Sequence, residues 1–143
     1  MIHNFVYYRR GGSAMKYMYT ATFREKGGKV YARIPDLKGC ITTGKNYEDA
    51  INQISDAASG WLVVAEDEGL DIPDATPQYK LITNEKLSYS LIYIDTVSYR
   101  AKTDNRSVRK NVSLPAWMAQ MADRLGINCS QVLQEGLMAK FNI

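Results

Sequence analysis

The stretch VYARIPDLKGCITTG, Val30–Gly44, decides the fold. Val30, Ala32 and Ile34 alternate with Tyr31 and Arg33, the period of a half-buried strand. Pro35 lacks a backbone donor and ends that strand, and Asp36 beside it suits a turn. Cys40 then opens a short strand, CITT, between Gly39 and Gly44. Asp36 and Cys40 have the residue types of an acid and a nucleophile. They also fit a turn residue and a small buried hydrophobe, and the rest of the chain weighs for that second reading.

Upstream, YMYTATFRE (Tyr17–Glu25) alternates and is rich in aromatic and β-branched residues, as a strand is. KGGK (Lys26–Lys29) supplies glycines for positive φ, which makes the two strands a hairpin. Downstream, Asn46 is placed to cap a helix, with Asp49 at its third position as in a capping box. Tyr47, Ile51, Ile54, Ala58, Trp61 and Ala65 recur at steps of four and three, an amphipathic stripe. Glu66, Asp67 and Glu68 read as the solvated end of this helix, and DIPDATP as a turn-rich loop. LSYSLIYIDTVSY (Leu87–Tyr99) is expected to be a further strand, and Tyr17, Tyr19, Tyr31, Tyr89 and Tyr93 to lie on the sheet surface. The order β-β-β-α-β predicts an α+β layer, one helix covering one face of a sheet.

The chain has 143 residues, 45% of them hydrophobic, which suits a globular protein. No run of about 18 apolar residues reads as a membrane span. The opening MIHNFVYYRRGGSAMKYMYT carries Arg9 and Arg10 after its apolar patch, unlike a secretory signal. Met15 reads as a second start, so residues 1–14 are expected to be a disordered extension. Cys40 and Cys129 form neither a metal pattern nor a disulfide framework, which points to a reduced, cytoplasmic protein. His3 is the single histidine, so no Ser–His or Cys–His pair and no histidine-based metal site is available. The expectation is a non-enzyme that uses no cofactor and no metal.

The charge divides. Residues 15–78 carry seven Lys/Arg against ten Asp/Glu, a balance of −3, and residues 100–143 carry seven against three, a balance of +4. Arg100, Lys102, Arg106, Arg109 and Lys110 cluster at the front of the basic part, the candidate for nucleic acid. RAKTDNRS (Arg100–Ser107) reads as a linker between two modules, 15–99 and 108–143. In the second, RKNVSL (Arg109–Leu114) alternates, with Arg109, Asn111 and Ser113 on one face and Lys110, Val112 and Leu114 on the other. Pro115 fits the first turn of a helix. Met118, Met121, Ala122 and Leu125 give that helix a stripe, and Gly126 stops it. Asn128 caps a second helix with Leu133, Leu137 and Phe141 inward. A strand and two helices of this size hide too little apolar surface alone. Dimerisation through Val112, Leu114, Leu125 and Leu137 is therefore expected.

The span YTATFREKGGKVYARIPDLKGCITTGKNYEDAINQISDAASGWL resembles the amino-terminal domain of the HicB antitoxin family. The Y-x-A-x-F opening, the PDLKGC-x-T-x-G bend and the EDA helix start carry the resemblance, which covers Met15 to about Pro77. It implies a partial ribonuclease H-like fold without catalysis that binds a small HicA toxin, an mRNA-cleaving ribonuclease. Asn46–Tyr47 departs from that family, where a threonine followed by a leucine is usual. The tail KNVSLPAWMAQMADRLGINCSQVLQ is similar to a ribbon–helix–helix DNA-binding module. This similarity implies a dimer whose two-stranded ribbon enters the major groove. Arg109, Asn111 and Ser113 would then read bases of double-stranded operator DNA. Asn128, Cys129 and Ser130 would meet phosphate at the start of the second helix, and Lys102 would meet it from the linker. Two other classes stay open at this point. One is a ligand-sensing ribbon–helix–helix regulator, the other a metal-dependent nuclease built on Asp36 and distant carboxylates.

Overall fold

A computed structural model describes residues 16–83 and 86–142. The extension expected over 1–14, with His3, lies outside the described residues. β1 (Lys16–Lys26) and β2 (Lys29–Arg33) form the expected hairpin, with Lys26 opposite Lys29 and Thr22 opposite Arg33. Gly27 and Gly28 take φ of 61° and 74°. Two successive positive φ values match the turn twist to the twist of the strands. β3 (Ile41–Gly44) pairs with the free edge of β2, and β4 (Ser88–Asp95) with the free edge of β1. The result is one antiparallel sheet in the order β3-β2-β1-β4.

α1 (Tyr47–Glu68) crosses one face of this sheet. The Asn46 side-chain oxygen accepts the Asp49 N–H at 2.8 Å, so the expected cap is present. The Asp49 carboxylate reaches the Lys45 N–H at 2.8 Å, one residue beyond the reciprocal partner of a capping box. The buried stripe is Ala50, Ile54, Ala58, Leu62 and Ala65. Tyr47 and Ile51 from the expected stripe stay exposed, and Trp61 sits at the rim of the core. Small residues explain this rotation, because alanines let the helix axis approach the sheet closely. The approach is tightest at Gly44, where an added Cβ would lie 2.3 Å from the Ala50 nitrogen.

Odd-numbered positions of β1 face α1. Tyr17, Tyr19, Ala21 and Phe23 are therefore core residues, joined by Val30, Ala32, Ile92 and Ile94. This corrects the surface placement of Tyr17 and Tyr19. Tyr31 and Tyr93 do lie exposed on the opposite face.

The last strand is shorter than expected. It ends at Asp95, whose carboxylate accepts the Ser98 N–H at 3.0 Å and caps α3 (Thr96–Thr103). Arg100 and Lys102 thus belong to a helix and not to a linker. Residues 104–115 form neither helix nor strand. A short α2 (Gln78–Leu81), absent from the sequence reading, precedes β4. The tail adds α4 (Ala116–Arg124) and α5 (Cys129–Phe141). Pro115 caps α4 instead of opening its first turn, and Gly126 at φ 64° stops the helix as expected.

Candidate functional site

The PDLKGC bend is a closed structural loop. The Ile34 N–H donates to the Cys40 carbonyl at 3.1 Å, and the Cys40 N–H donates to the Leu37 carbonyl at 3.0 Å. The Trp61 indole N–H donates to the Lys38 carbonyl at 3.1 Å, which fixes the bend to α1. The Asp36 carboxylate accepts the Thr76 N–H at 2.9 Å and the Thr76 hydroxyl at 2.6 Å. It latches the loop after α1 onto the bend, forty residues apart in sequence. The Tyr19 hydroxyl donates to the Pro73 carbonyl of the same loop. Burial raises the Tyr19 phenol well above its ordinary value, with the Asp36 and Asp74 carboxylates adding to the rise. Cys40 is buried, and burial pushes its thiol up, away from the thiolate a nucleophile needs. Asp36 thus serves as a hydrogen-bonding latch and Cys40 as a buried thiol. Among the described residues no group of three His, Cys, Asp or Glu is placed to hold a metal ion.

A second polar site differs from the sequence expectation. Glu66 is no solvated end residue: its side chain is 7% exposed. Its Oε1 accepts from the Tyr17 hydroxyl at 3.0 Å and the Thr96 hydroxyl at 2.8 Å. Its Oε2 lies 3.0 Å from the Arg100 guanidinium, which also meets Asp67 at 2.7 Å. Arg100 is held above its ordinary value by the hydrogen bond to Asp67, and then by that to Glu66. This clasp ties α1, β1 and α3 together. The one available signal was the acidic EDE run facing a basic residue just after an apolar strand, and sequence spacing does not show that they meet.

The tail presents a different surface. Among the described residues, none beyond Ile94 belongs to the hydrophobic core of the sheet. Val112, Leu114, Met118, Met121, Leu125 and Leu133 instead converge on an apolar groove of about 350 Å³ with Ala122 at its floor. Three of the four expected interface residues line it; Leu137 is exposed outside it. Arg109, Asn111 and Ser113 lie exposed in the segment 104–115. The strand expected there has no pairing partner in one chain, and a ladder needs two strands. Asn128 caps α5, its side-chain oxygen accepting the Gln131 N–H at 3.1 Å, while Cys129 and Ser130 are exposed in the first turn. Of the five clustered cations, Arg100 is engaged by Glu66 and Asp67, and Arg106 by Asp104 at 2.7 Å. That contact holds the Asp104 carboxyl well below the usual carboxylate range. Lys102, Arg109 and Lys110 have no carboxylate partner among the described residues.

No helix among the described residues is long and apolar enough to cross a membrane. The family model for the HicB_like antitoxin of bacterial toxin-antitoxin systems matches residues 19–141. Among solved structures, a toxin–antitoxin complex from Streptococcus pneumoniae aligns with a TM-score of 0.56 at 18% identity. That alignment covers 88% of this chain and 99% of the other. The antitoxin HicB of Burkholderia pseudomallei aligns with a TM-score of 0.50 at 18% identity, covering 85% of this chain and 96% of the other. No curated protein matches the chain by sequence.

Proposed function

Since this chain belongs to the HicB-like antitoxins of bacterial toxin–antitoxin systems, we propose that it neutralises a small HicA-like, mRNA-cleaving toxin and, as a dimer, represses its own operon. The observation that carries the reading is the reach of the family match, residues 19–141, over both the sheet and the two tail helices. The sheet domain, a partial ribonuclease H-like unit, binds the toxin and performs no catalysis of its own. Its excess of carboxylates suits a basic ribonuclease, and such complementarity speeds encounter more than it sets affinity. The tail is a ribbon–helix–helix module. Two copies of residues 109–114 pair as the ribbon, and the two apolar grooves close on each other.

In that arrangement Arg109, Asn111 and Ser113 face base edges of the operator. The amide groups at Asn128, Cys129 and Ser130 meet phosphate, as does Lys102 from the end of α3. The test has two arms with full-length protein. Co-expression with a small HicA-like toxin is expected to give a complex in which RNA cleavage is blocked. Binding to operator and scrambled duplexes is expected to separate the tail residues. Arg109→Ala and Asn111→Ala each lose about 1–3 kcal/mol on the operator alone, if their contacts are bidentate. Lys102→Ala weakens both duplexes alike and lowers the salt slope by about one. Equal losses on both duplexes for Arg109→Ala and Asn111→Ala would remove the base-reading role.

A further inference from the structure

The acidic balance of the sheet domain hides a polarised distribution. Five of its seven cations between residues 15 and 78 sit on the hairpin: Lys16, Arg24, Lys26, Lys29 and Arg33. The strand alternation puts all five on the face that α1 leaves open, because the residues facing α1 are odd in β1 and even in β2. Glu25, the single acid in β1 and β2, has the opposite parity. None of Arg24, Lys26, Lys29 and Arg33 has a carboxylate partner among the described residues. In their midst Tyr31 is 44% exposed, directly across from Arg24 in the register and beside Thr43 on β3. Two adjoining concavities meet there. One, of about 270 Å³, is lined by Thr22, Arg24, Tyr31, Arg33 and Ile41, and the other by Arg24, Lys26, Lys29 and Tyr31.

We propose that this open face, at the hairpin end, binds single-stranded RNA. Unpaired cations around an exposed aromatic ring are what a flexible polyanion with π-faced bases requires. Phosphates meet Arg24, Lys26, Lys29 and Arg33, and a base stacks on Tyr31. The hydroxyls of Thr22, Thr43 and Tyr31 on the same face offer partners to a ribose 2′-OH, the group that distinguishes RNA from DNA. A second copy of this chain is a poor occupant, because two such faces would oppose like charges. The inference does not rest on the antitoxin reading and uses none of the tail residues.

Fluorescence anisotropy of the full-length protein with a labelled single-stranded RNA of mixed sequence tests it. The Arg24→Glu/Lys29→Glu variant should lose at least tenfold in affinity and flatten the salt dependence by about 1.4 in log–log slope, at about 0.7 per single-strand phosphate. Tyr31→Ala should lose about 5- to 150-fold, the worth of one stacked base, while Tyr31→Phe keeps most of it. Arg109→Ala should leave RNA affinity within twofold, and DNA of the same sequence should bind several-fold more weakly. These side chains are exposed, so an unchanged thermal transition verifies that the variants fold. The proposal falls if the hairpin variants bind RNA like the wild type, or if loss follows Arg109→Ala instead. It falls equally if DNA binds as well as RNA. Retention of an acidic peptide with no RNA affinity would make the face a site for acidic protein and overturn it as well.

Discussion

Gly44 and Tyr19 show how much of this fold depends on single residues. At Gly44 the obstruction to a larger residue is the backbone of Ala50, which cannot rotate aside as a flexible side chain would. Gly44→Ala must therefore push β3 and the first turn of α1 apart. A destabilisation of about 1–3 kcal/mol, the usual cost of overpacking, is expected in urea unfolding at unchanged m-value. A neutral substitution would mean that α1 has freedom to move that its contacts do not suggest. Tyr19 makes a prediction in pH. Its folded phenol holds its proton well above the ordinary value of 10.0, chiefly through burial. The unfolded chain releases that proton first, so between the two values the native state binds more protons and stability falls as pH rises. Cys40, raised above 9.0 by burial, adds a loss of the same sign at lower pH. Stability measured from pH 8 to pH 11 should decline, and Tyr19→Phe should flatten the upper part of the decline. An unchanged slope in Tyr19→Phe would place the titrating groups elsewhere.

Among the elements packed on the sheet, α3 buries a single residue, the polar Thr96, so little apolar surface holds it. The Glu66–Arg100–Asp67 clasp holds it instead. Arg100 is 36% exposed on its side chain, so solvent screens the pair and the cost of removing it is about 1 kcal/mol or somewhat more. The sharper expectation is local. In Arg100→Ala the amides of residues 99–103 should exchange hydrogen much faster while those of α1 keep their protection. Global loss of protection would show that α3 and α1 unfold as one unit. The same helix marks the boundary of what the sequence tells. The hairpin, the Asn46 cap and the stop at Gly126 were legible because each depends on residues within a few positions. α3 was not, because Leu87–Tyr99 is apolar enough to read as one strand, and the break depends on Asp95 accepting a hydrogen bond from Ser98. The buried face of α1 is legible in part: Ile54, Ala58 and Ala65 are buried as expected, whereas Tyr47 and Ile51 are not. Tyr47 and Ile51 have the greater hydrophobicity, but close approach to the sheet favours the smaller Ala50 and Ala58. Glu66 is hidden because its partners come from two other elements, Tyr17 on β1 and Thr96 and Arg100 on α3, all distant in sequence.

At the scale of the whole molecule, the sheet domain is closed by its own core, whereas the tail leaves its apolar residues in an open groove. A monomer would expose Leu114, Met118, Met121 and Leu125 to water, a contiguous apolar patch of the kind that marks an interface. The proposed dimer removes that surface, and mass action then distinguishes the two parts. The stability of an interface-dependent module rises with protein concentration, by about 1.4 kcal/mol for each tenfold increase when unfolding and dissociation coincide. A self-contained domain has no such dependence. Thermal unfolding of the full chain should therefore show a transition that moves upward with concentration and another that does not. Leu114→Glu puts a charge into the groove and should abolish the moving transition, giving a monomer in sedimentation while the fixed transition stays in place. Operator binding should fall with it, because a single ribbon strand cannot fill the major groove in register. Should Leu114→Glu remain a dimer of wild-type stability, the groove is not the interface, and the pairing of residues 109–114 across two copies would have to be abandoned.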